Sequence, residues 1–371
     1  MATGFGIIGC GLISKFHARA IADTPGAELV ACYDTVPEAA DRLAAETGCK
    51  PYHSLEAFLA DPRVEVVTVA TPSGAHMEPA VAAATAGKHV IVEKPLEITL
   101  ERCDAIIQAC EKADVVLSTI FPSRFHDVSQ LFKRAVDQGR FGRLVLGDAY
   151  VKWWRTQQYY DSGAWRGTWE LDGGGALMNQ AIHSVDLLLW FMGPVVEVRA
   201  DFALLGHERI AVEDVAVATL RFANGALGTI EATTAAYPGH KKRIEIHGTK
   251  GSAIMEEEDI VFWQFAEPQP EDEQIQRKMA ERVSGSGGAA DPAAIGHHGH
   301  ARQFANVLRA IQTGQKPLID GYEGRRPVEV ILGIYLSAER GEPVRLPLRE
   351  DPKLMVRQVG VAQLRLPSRW Q

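Results

Sequence analysis

The opening third of the chain repeats one pattern: a short β-branched run, then a longer stretch with apolar residues at helical spacing. Such alternation specifies a parallel sheet covered by helices on both faces, because parallel neighbours need a crossover and the crossover is helical. Strands are predicted at Phe5–Ile8, Glu28–Tyr33, Val64–Val69, His89–Val92 and Val115–Thr119, with helices near 13–22, 36–47, 54–60, 75–86 and 99–113. Residues 1–122 thus read as a doubly wound parallel domain.

From Pro122 the texture changes. A helix (128–138) and a strand (144–154) lead into a loop dense in Trp, Tyr, Arg and Gly, then a helix over 179–192. The runs VVEVRADFALL, VEDVAVATLRFA, ALGTIEATTAAY, KRIEIHGTKGSAIME and DIVFWQF alternate in period two, the mark of hairpin-linked antiparallel strands with one covered face. Residues 123–371 read as an α+β domain around a large open, mostly antiparallel sheet. Its Gly/Ser/Ala-rich stretch at 284–300 is expected to be a mobile loop, followed by helices at 300–313 and 325–340 and the strand EPVRLPL. A length of 371 residues agrees with two domains.

A net charge of −8 argues against a nucleic-acid partner, which calls for a basic patch. No apolar run reaches the ~18 residues of a membrane span, and the first residues lack the pattern of a secretory leader. The five cysteines fall at 10, 32, 49, 103 and 110 without CxxC spacing, and an odd count suits a reducing compartment. A cytoplasmic location and no metal are the expectation.

The first strand leads into Gly9, Gly11 and Ser14, with Leu12 and Ile13 opening a helix. The first glycine permits a tight turn, the second lets backbone approach a pyrophosphate, the third place must be small, and the helix N-terminus offers N–H groups to phosphate. The second strand ends at Asp34, where a carboxylate holds the adenosine ribose hydroxyls and repels a 2′-phosphate, so NAD is expected over NADP. Thr71, Pro72, Ser73 and His76 follow the third strand at the carboxyl edge, where ligands bind; Ser73 reads equally as a ribose contact or a helix cap.

Two features carry chemistry. Glu93-Lys94-Pro95 follows the fourth strand at the same edge, where a lysine can orient a hydroxyl or move a proton. The segment GGGALMNQAIHSVDLLLW sets Asn179, His183 and Asp186 at i, i+4 and i+7 on a helix entered through three glycines. Between them, VKWWRTQQYYDSGAWRGTW gathers Arg155, Tyr160, Trp165 and Arg166, aromatic faces for sugar C–H surfaces and guanidinium groups for a carboxylate or phosphate.

In order along the chain, GCGLIS, ATPSGAH, EKP, the GGG helix, EIHGTKGS and GYEGRRPVEVILGIYLSAERGEPVRLP resemble the glucose-fructose oxidoreductase, inositol dehydrogenase and rhizopine catabolism (Gfo/Idh/MocA) family. The resemblance implies a Rossmann domain joined to an α/β domain whose sheet face mediates homodimers or homotetramers. It implies lysine–histidine catalysis at Lys94 and His183 and no metal, and places Arg124, Tyr237 and His300 near the cleft. It also implies an aspartate four residues before the histidine, where this chain has Asn179, which holds neither proton nor charge in the same way.

The expectation is an NAD-dependent oxidoreductase in which His183 takes the hydroxyl proton of a sugar, sugar derivative or cyclitol while hydride passes to the nicotinamide. Glu93 and Lys94 border the cofactor; Lys94, Arg124, Arg155, Tyr160, Trp165, Arg166, Asn179, His183 and Tyr237 border the substrate. Alternatives are a nucleotide-sugar (uronate) 3-dehydrogenase or ketosugar reductase, an enzyme using NAD transiently for elimination or glycoside cleavage, and an NAD-binding regulator without turnover.

Overall fold

The computed structural model describes residues 2–280 and 298–352. Its first part contains β1 (Thr3–Ile8), α1 (Leu12–Ala22), β2 (Ala27–Tyr33), α2 (Pro37–Thr47), β3 (Lys50–Tyr52), α3 (Leu55–Leu59), β4 (Val66–Val69), α4 (Met77–Thr85), β5 (His89–Val92), α5 (Leu100–Lys112) and β6 (Leu117–Thr119). The six strands are parallel, in the order β3-β2-β1-β4-β5-β6. This is a Rossmann sheet, and its order reverses between β1 and β4, where the ligand crevice opens. Burial on both faces makes β4 wholly buried and β1 and β5 nearly so, which is why they read as unbroken apolar runs. The edge strand β3 escaped the sequence pattern because it is three residues long with a central proline.

The second part comprises α6 (Asp127–Asp137), β7 (Leu144–Lys152), α7 (Gln157–Asp161), α8 (Ile182–Met192), β8 (Val195–Ala203), β9 (Val215–Phe222), β10 (Leu227–Thr233), β11 (Arg243–Gly248), β12 (Gly251–Glu256), β13 (Asp259–Phe265), α9 (Pro270–Ala280), α10 (His298–Thr313), α11 (Gly321–Arg340) and β14 (Val344–Arg345). Its eight strands lie in the order β13-β12-β11-β7-β10-β9-β8-β14, antiparallel except for β7 beside β10. One face packs under α8 and α11; strand β9 alternates strictly, with Ala216, Ala218, Leu220 and Phe222 inward. The opposite face carries Leu146, Tyr150, Val217, Leu227, Ile254 and Phe262 among charged neighbours.

The sequence boundary at 122 needs one correction. Helix α10 lies far along the chain yet packs on the Rossmann sheet, where Phe304, Val307 and Leu308 join Phe5, Ile7 and Ile21 in one buried cluster. With α1 and α2 it covers one face of that sheet, and α3, α4 and α5 cover the other. The loop expected at 284–300 lies outside the described residues up to 297; His298 and His300 open α10. No described helix is long and apolar enough to cross a membrane, and all five cysteines are free thiols.

Candidate active site

The glycine turn is built as its spacing requires. Gly9 has φ +92°, and a Cβ there would come 2.7 Å from the Ala70 backbone, so only glycine lets β1 and β4 close at this point. A Cβ on Gly11, by contrast, would meet no atom within 4 Å, so the protein backbone is open to a pyrophosphate on this side. Gly11 is the N-cap of α1 and no side chain caps it, so the first N–H groups, at Leu12 and Ile13, are presented to an anion. Ser14 is buried and donates to the Gly11 carbonyl at 2.6 Å, which explains why serine serves in the third place.

Asp34 accepts from the Cys10 N–H at 2.7 Å and the Val36 N–H at 2.8 Å, one bond per carboxylate oxygen. The remaining lone pairs suit two vicinal ribose hydroxyls. At the next strand end, Thr71 Oγ1 donates to the Ala75 carbonyl, Ser73 is buried in a short 3-10 turn behind Pro72, and His76 sits between the carbonyls of Pro95 (2.8 Å) and Thr71 (3.0 Å). Burial holds the His76 imidazole below its ordinary pKa. Gly74 N–H reaches across to the Leu171 carbonyl at 2.8 Å, so this turn is one of the places where the first part of the chain meets the second.

Glu93 and Lys94 leave β5 in opposite directions. Burial opposes the Glu93 charge, but a hydrogen bond to His17 (2.8 Å) and the imidazole of His300 3.8 Å away overcome it and hold the carboxyl well below the usual range. His17 Nδ1 in turn meets Thr68 Oγ1 at 2.8 Å. Glu93 Oε2 accepts the Lys94 N–H at 2.9 Å, so this buried network fixes the backbone from which Lys94 projects. The Lys94 ammonium donates to the Asn179 carbonyl at 2.8 Å and lies 3.3 Å from Asn179 Oδ1. Burial lowers its pKa, while Glu93 and Asp172 oppose that shift.

The i, i+4, i+7 expectation is modified by a π-helical segment, Ala176–Ala181, that precedes α8. Its wider turn brings Asn179 and its carbonyl to Lys94, and π turns of this kind recur at functional sites. The three glycines fit this entry: a Cβ on Gly175 would lie 1.8 Å from the Glu213 carbonyl oxygen, and one on Gly174 2.1 Å from the Tyr335 hydroxyl. Glu213 carboxylate accepts the Gly175 and Leu177 N–H groups, both at 2.8 Å, and the Tyr335 hydroxyl at 3.0 Å. Burial raises its pKa to about 7 despite those bonds.

His183, the second residue of α8, stands perpendicular to Phe121 with ring centres 5.8 Å apart. Its Nδ1 is buried and makes no hydrogen bond to a described residue. Burial first, then the charges of Lys94 and Lys242, hold its pKa well below the ordinary value. At neutral pH the ring is therefore neutral and offers one acceptor nitrogen. Asp186 points elsewhere: it is wholly buried and bidentate to Arg124 at 2.6 and 2.9 Å.

The aromatic loop divides in two. Arg166 lies half-buried across Trp165 and Tyr159 (4.7 and 4.5 Å to the ring centres) and donates to the Tyr159 hydroxyl at 2.7 Å. Gln180 continues the chain, donating to the Tyr159 hydroxyl (2.9 Å) and Asn179 Oδ1 (3.1 Å), and accepting from Arg155 (3.1 Å). Arg155 is buried, as is Tyr160, which bonds Thr234 Oγ1 at 2.8 Å and packs on His207.

Sequence reasoning placed Arg124 and Tyr237 near the cleft, but their contacts lie elsewhere. Arg124 is 2 % exposed, with its guanidinium held by Asp186 and by Glu323 at 2.8 Å. Tyr237 is 77 % exposed and stands edge-on to Trp154. Conversely, Asp172, Gln180 and His17 were not singled out. Asp172 stands directly before the glycine run, so its signal was in view; the others declare themselves only through long-range bonds.

A Rossmann crevice with an acid on the second strand, facing a lysine–histidine pair where two domains meet, defines an NAD-dependent oxidoreductase. Residues 3–121 match the oxidoreductase family with an NAD-binding Rossmann fold, and residues 129–254 match the GFO/IDH/MocA C-terminal domain. The chain belongs to the Gfo/Idh/MocA family. It is 34 % identical to the myo-inositol 2-dehydrogenase of Thermotoga maritima, covering 92 % of this chain and 98 % of that one. Among solved structures it is similar to the WlbA dehydrogenase of Bordetella pertussis in complex with NADH and UDP-GlcNAcA (40 % identity, TM-score 0.86, covering 94 % and 98 % of the two chains). Levoglucosan dehydrogenase in complex with NADH and levoglucosan is similar at 26 % identity and TM-score 0.81, covering 94 % and 100 %.

Proposed function

We propose that the enzyme moves hydride between NAD and a hydroxyl-bearing carbon of a sugar, sugar derivative or cyclitol. The observation that carries this is Lys94, tethered to the Asn179 carbonyl at the end of β5, beside a buried His183 that burial and the lysine's charge hold neutral. Bound NAD supplies the hydride acceptor at its nicotinamide ring. In the oxidative direction the neutral His183 accepts the hydroxyl proton. Lys94, with one N–H on the Asn179 carbonyl, holds the same oxygen and stabilises the charge that develops there. Asp34, without a cationic residue at 35 or 36, favours NAD over NADP.

A second reading narrows the substrate to a nucleotide-linked uronic acid. It is supported by Arg166, held against Tyr159 and Trp165 near Asp172 with a planar guanidinium suited to an acidic substituent, and by the ligand named for the WlbA structure.

The test is NADH absorbance with NAD or NADP and a panel of cyclitols, free sugars, uronic acids and nucleotide sugars. NAD-dependent turnover on one class is expected. Tight NAD binding with no NADH formed across the panel sinks the net dehydrogenase reading, and product formation without NADH marks transient redox.

We also propose that copies associate through the uncovered face of the large sheet, where Leu146 and Leu227 are direct neighbours. Light scattering is expected to give a dimer or tetramer that Leu227→Lys weakens; a monomer at micromolar concentration counts against it.

A further inference from the structure

We infer that Asp172 is a positioning residue for this chemistry: its carboxylate fixes which way the Asn179 amide faces, and so keeps an oxygen rather than an NH2 group against Lys94. This inference rests on the assignment of Lys94 to the reacting oxygen. Asp172 is 1 % exposed and sits at the turn into the glycine run. One of its oxygens accepts the Gly167 N–H at 2.8 Å and the other accepts the Asn179 Nδ2. An ionised carboxylate only accepts, so it must be met by the amide nitrogen. That leaves Asn179 Oδ1 to face two donors, the Lys94 ammonium and the Gln180 amide. Reversing the amide would point a donor at the ammonium and lose both contacts.

The charge acts alongside the orientation. The ionisable groups facing Asp172 are Lys94 and Arg166, which are cationic, and the phenols of Tyr159 and Tyr160. Burial pushes the Asp172 carboxyl up to about 6, against the Gly167 N–H, Asn179, Lys94 and Arg166. Above that pH it is an anion that keeps Lys94 protonated; as pH falls through about 6 it gains a proton and a donor, and the arrangement loosens.

The isosteric variant Asp172→Asn tests this. One amide atom can still satisfy Gly167, but then its NH2 group confronts Asn179 Nδ2 and forces the neighbour to turn. Expected are a kcat about 10- to 100-fold lower with NAD affinity unchanged, and loss of the acidic limb near pH 6 from the rate profile. The Lys94 titration is expected to move to lower pH, read from 13C-methylated lysine signals and assigned by comparison with Lys94→Arg. The exchange variant Asp172→Asn/Asn179→Asp restores the hydrogen-bond polarity with partners swapped and is expected to regain activity over the single variant. If the single variant keeps the Lys94 titration and pH profile of the parent, or if the exchange recovers nothing while both variants bind NAD normally, the inference is overturned. The Lys94 titration needs no substrate, so it decides the matter even if the substrate panel is silent, an outcome that fails the functional reading alone.

Discussion

Lys94→Ala is expected to lower kcat by about 10² to 10⁴ while leaving NAD affinity within a few-fold of the parent. The two effects separate because the features proposed to hold the dinucleotide, the Gly9–Ile13 turn and Asp34, are other residues, whereas the Lys94 ammonium is bonded to the Asn179 carbonyl at 2.8 Å. What the alanine variant loses is a donor aimed at an oxygen whose negative charge grows as His183 takes its proton and is discharged as hydride leaves. Removal of one such preorganised donor costs roughly 3–4 kcal/mol in a water-poor site. Lys94→Arg is not expected to rescue, since a planar fork cannot occupy the point held by an ammonium between two oxygens of Asn179. The check is steady-state kinetics beside a fluorescence titration of NAD. A variant retaining more than about a tenth of the parent kcat would remove Lys94 from the reaction.

The second large effect concerns stability. Arg124→Met leaves Asp186 wholly buried with no cation, beside Glu323, itself mostly buried. Breaking a buried pair by deleting one partner costs about 3–5 kcal/mol, because the orphaned charge must stay desolvated or take up a proton. Burial already raises the Asp186 pKa against the opposing pull of Arg124, and without Arg124 the carboxyl rises further. For a chain of this size the melting temperature should fall by roughly 5 °C, and Arg124→Met/Asp186→Leu should recover much of that loss. Thermal unfolding of the three proteins measures it. Should Arg124→Met instead melt like the parent and raise KM for substrate, the guanidinium serves the cleft where the family resemblance puts it.

Legibility in the sequence followed the range of the interactions. The Rossmann strands could be read because each carries its own signal, burial on both faces turning FGII, VVTV and HVIV into apolar runs. The glycine turn and Asp34 were readable for the same reason: backbone geometry at Gly9 and the reach of a strand-end carboxylate are local facts. The π turn at Ala176–Ala181 was not, since α and π segments share a composition and the wider turn is set by Glu213 and Tyr335, which lie far along the chain. Arg124 was placed near the cleft by the family resemblance alone, and its bond to Asp186 is not legible in the sequence. Asp172 was passed over although it adjoins the glycine run, because nothing in WELDGGG tells that its carboxylate turns inward to Asn179.

The return of α10 to the Rossmann sheet has a consequence for the order in which the molecule can be made. Six strands and their first five helices leave the ribosome early, but Phe5, Ile7 and Ile21 keep one side bare until Phe304, Val307 and Leu308 have been synthesised. The domain begun first is thus completed almost last, and through most of translation the nascent chain carries an unfinished apolar wall of the kind that chaperones shelter. A fragment cut at residue 122 would be less a domain than half of a closed book, with His300 and the pages that press upon Glu93 still unwritten.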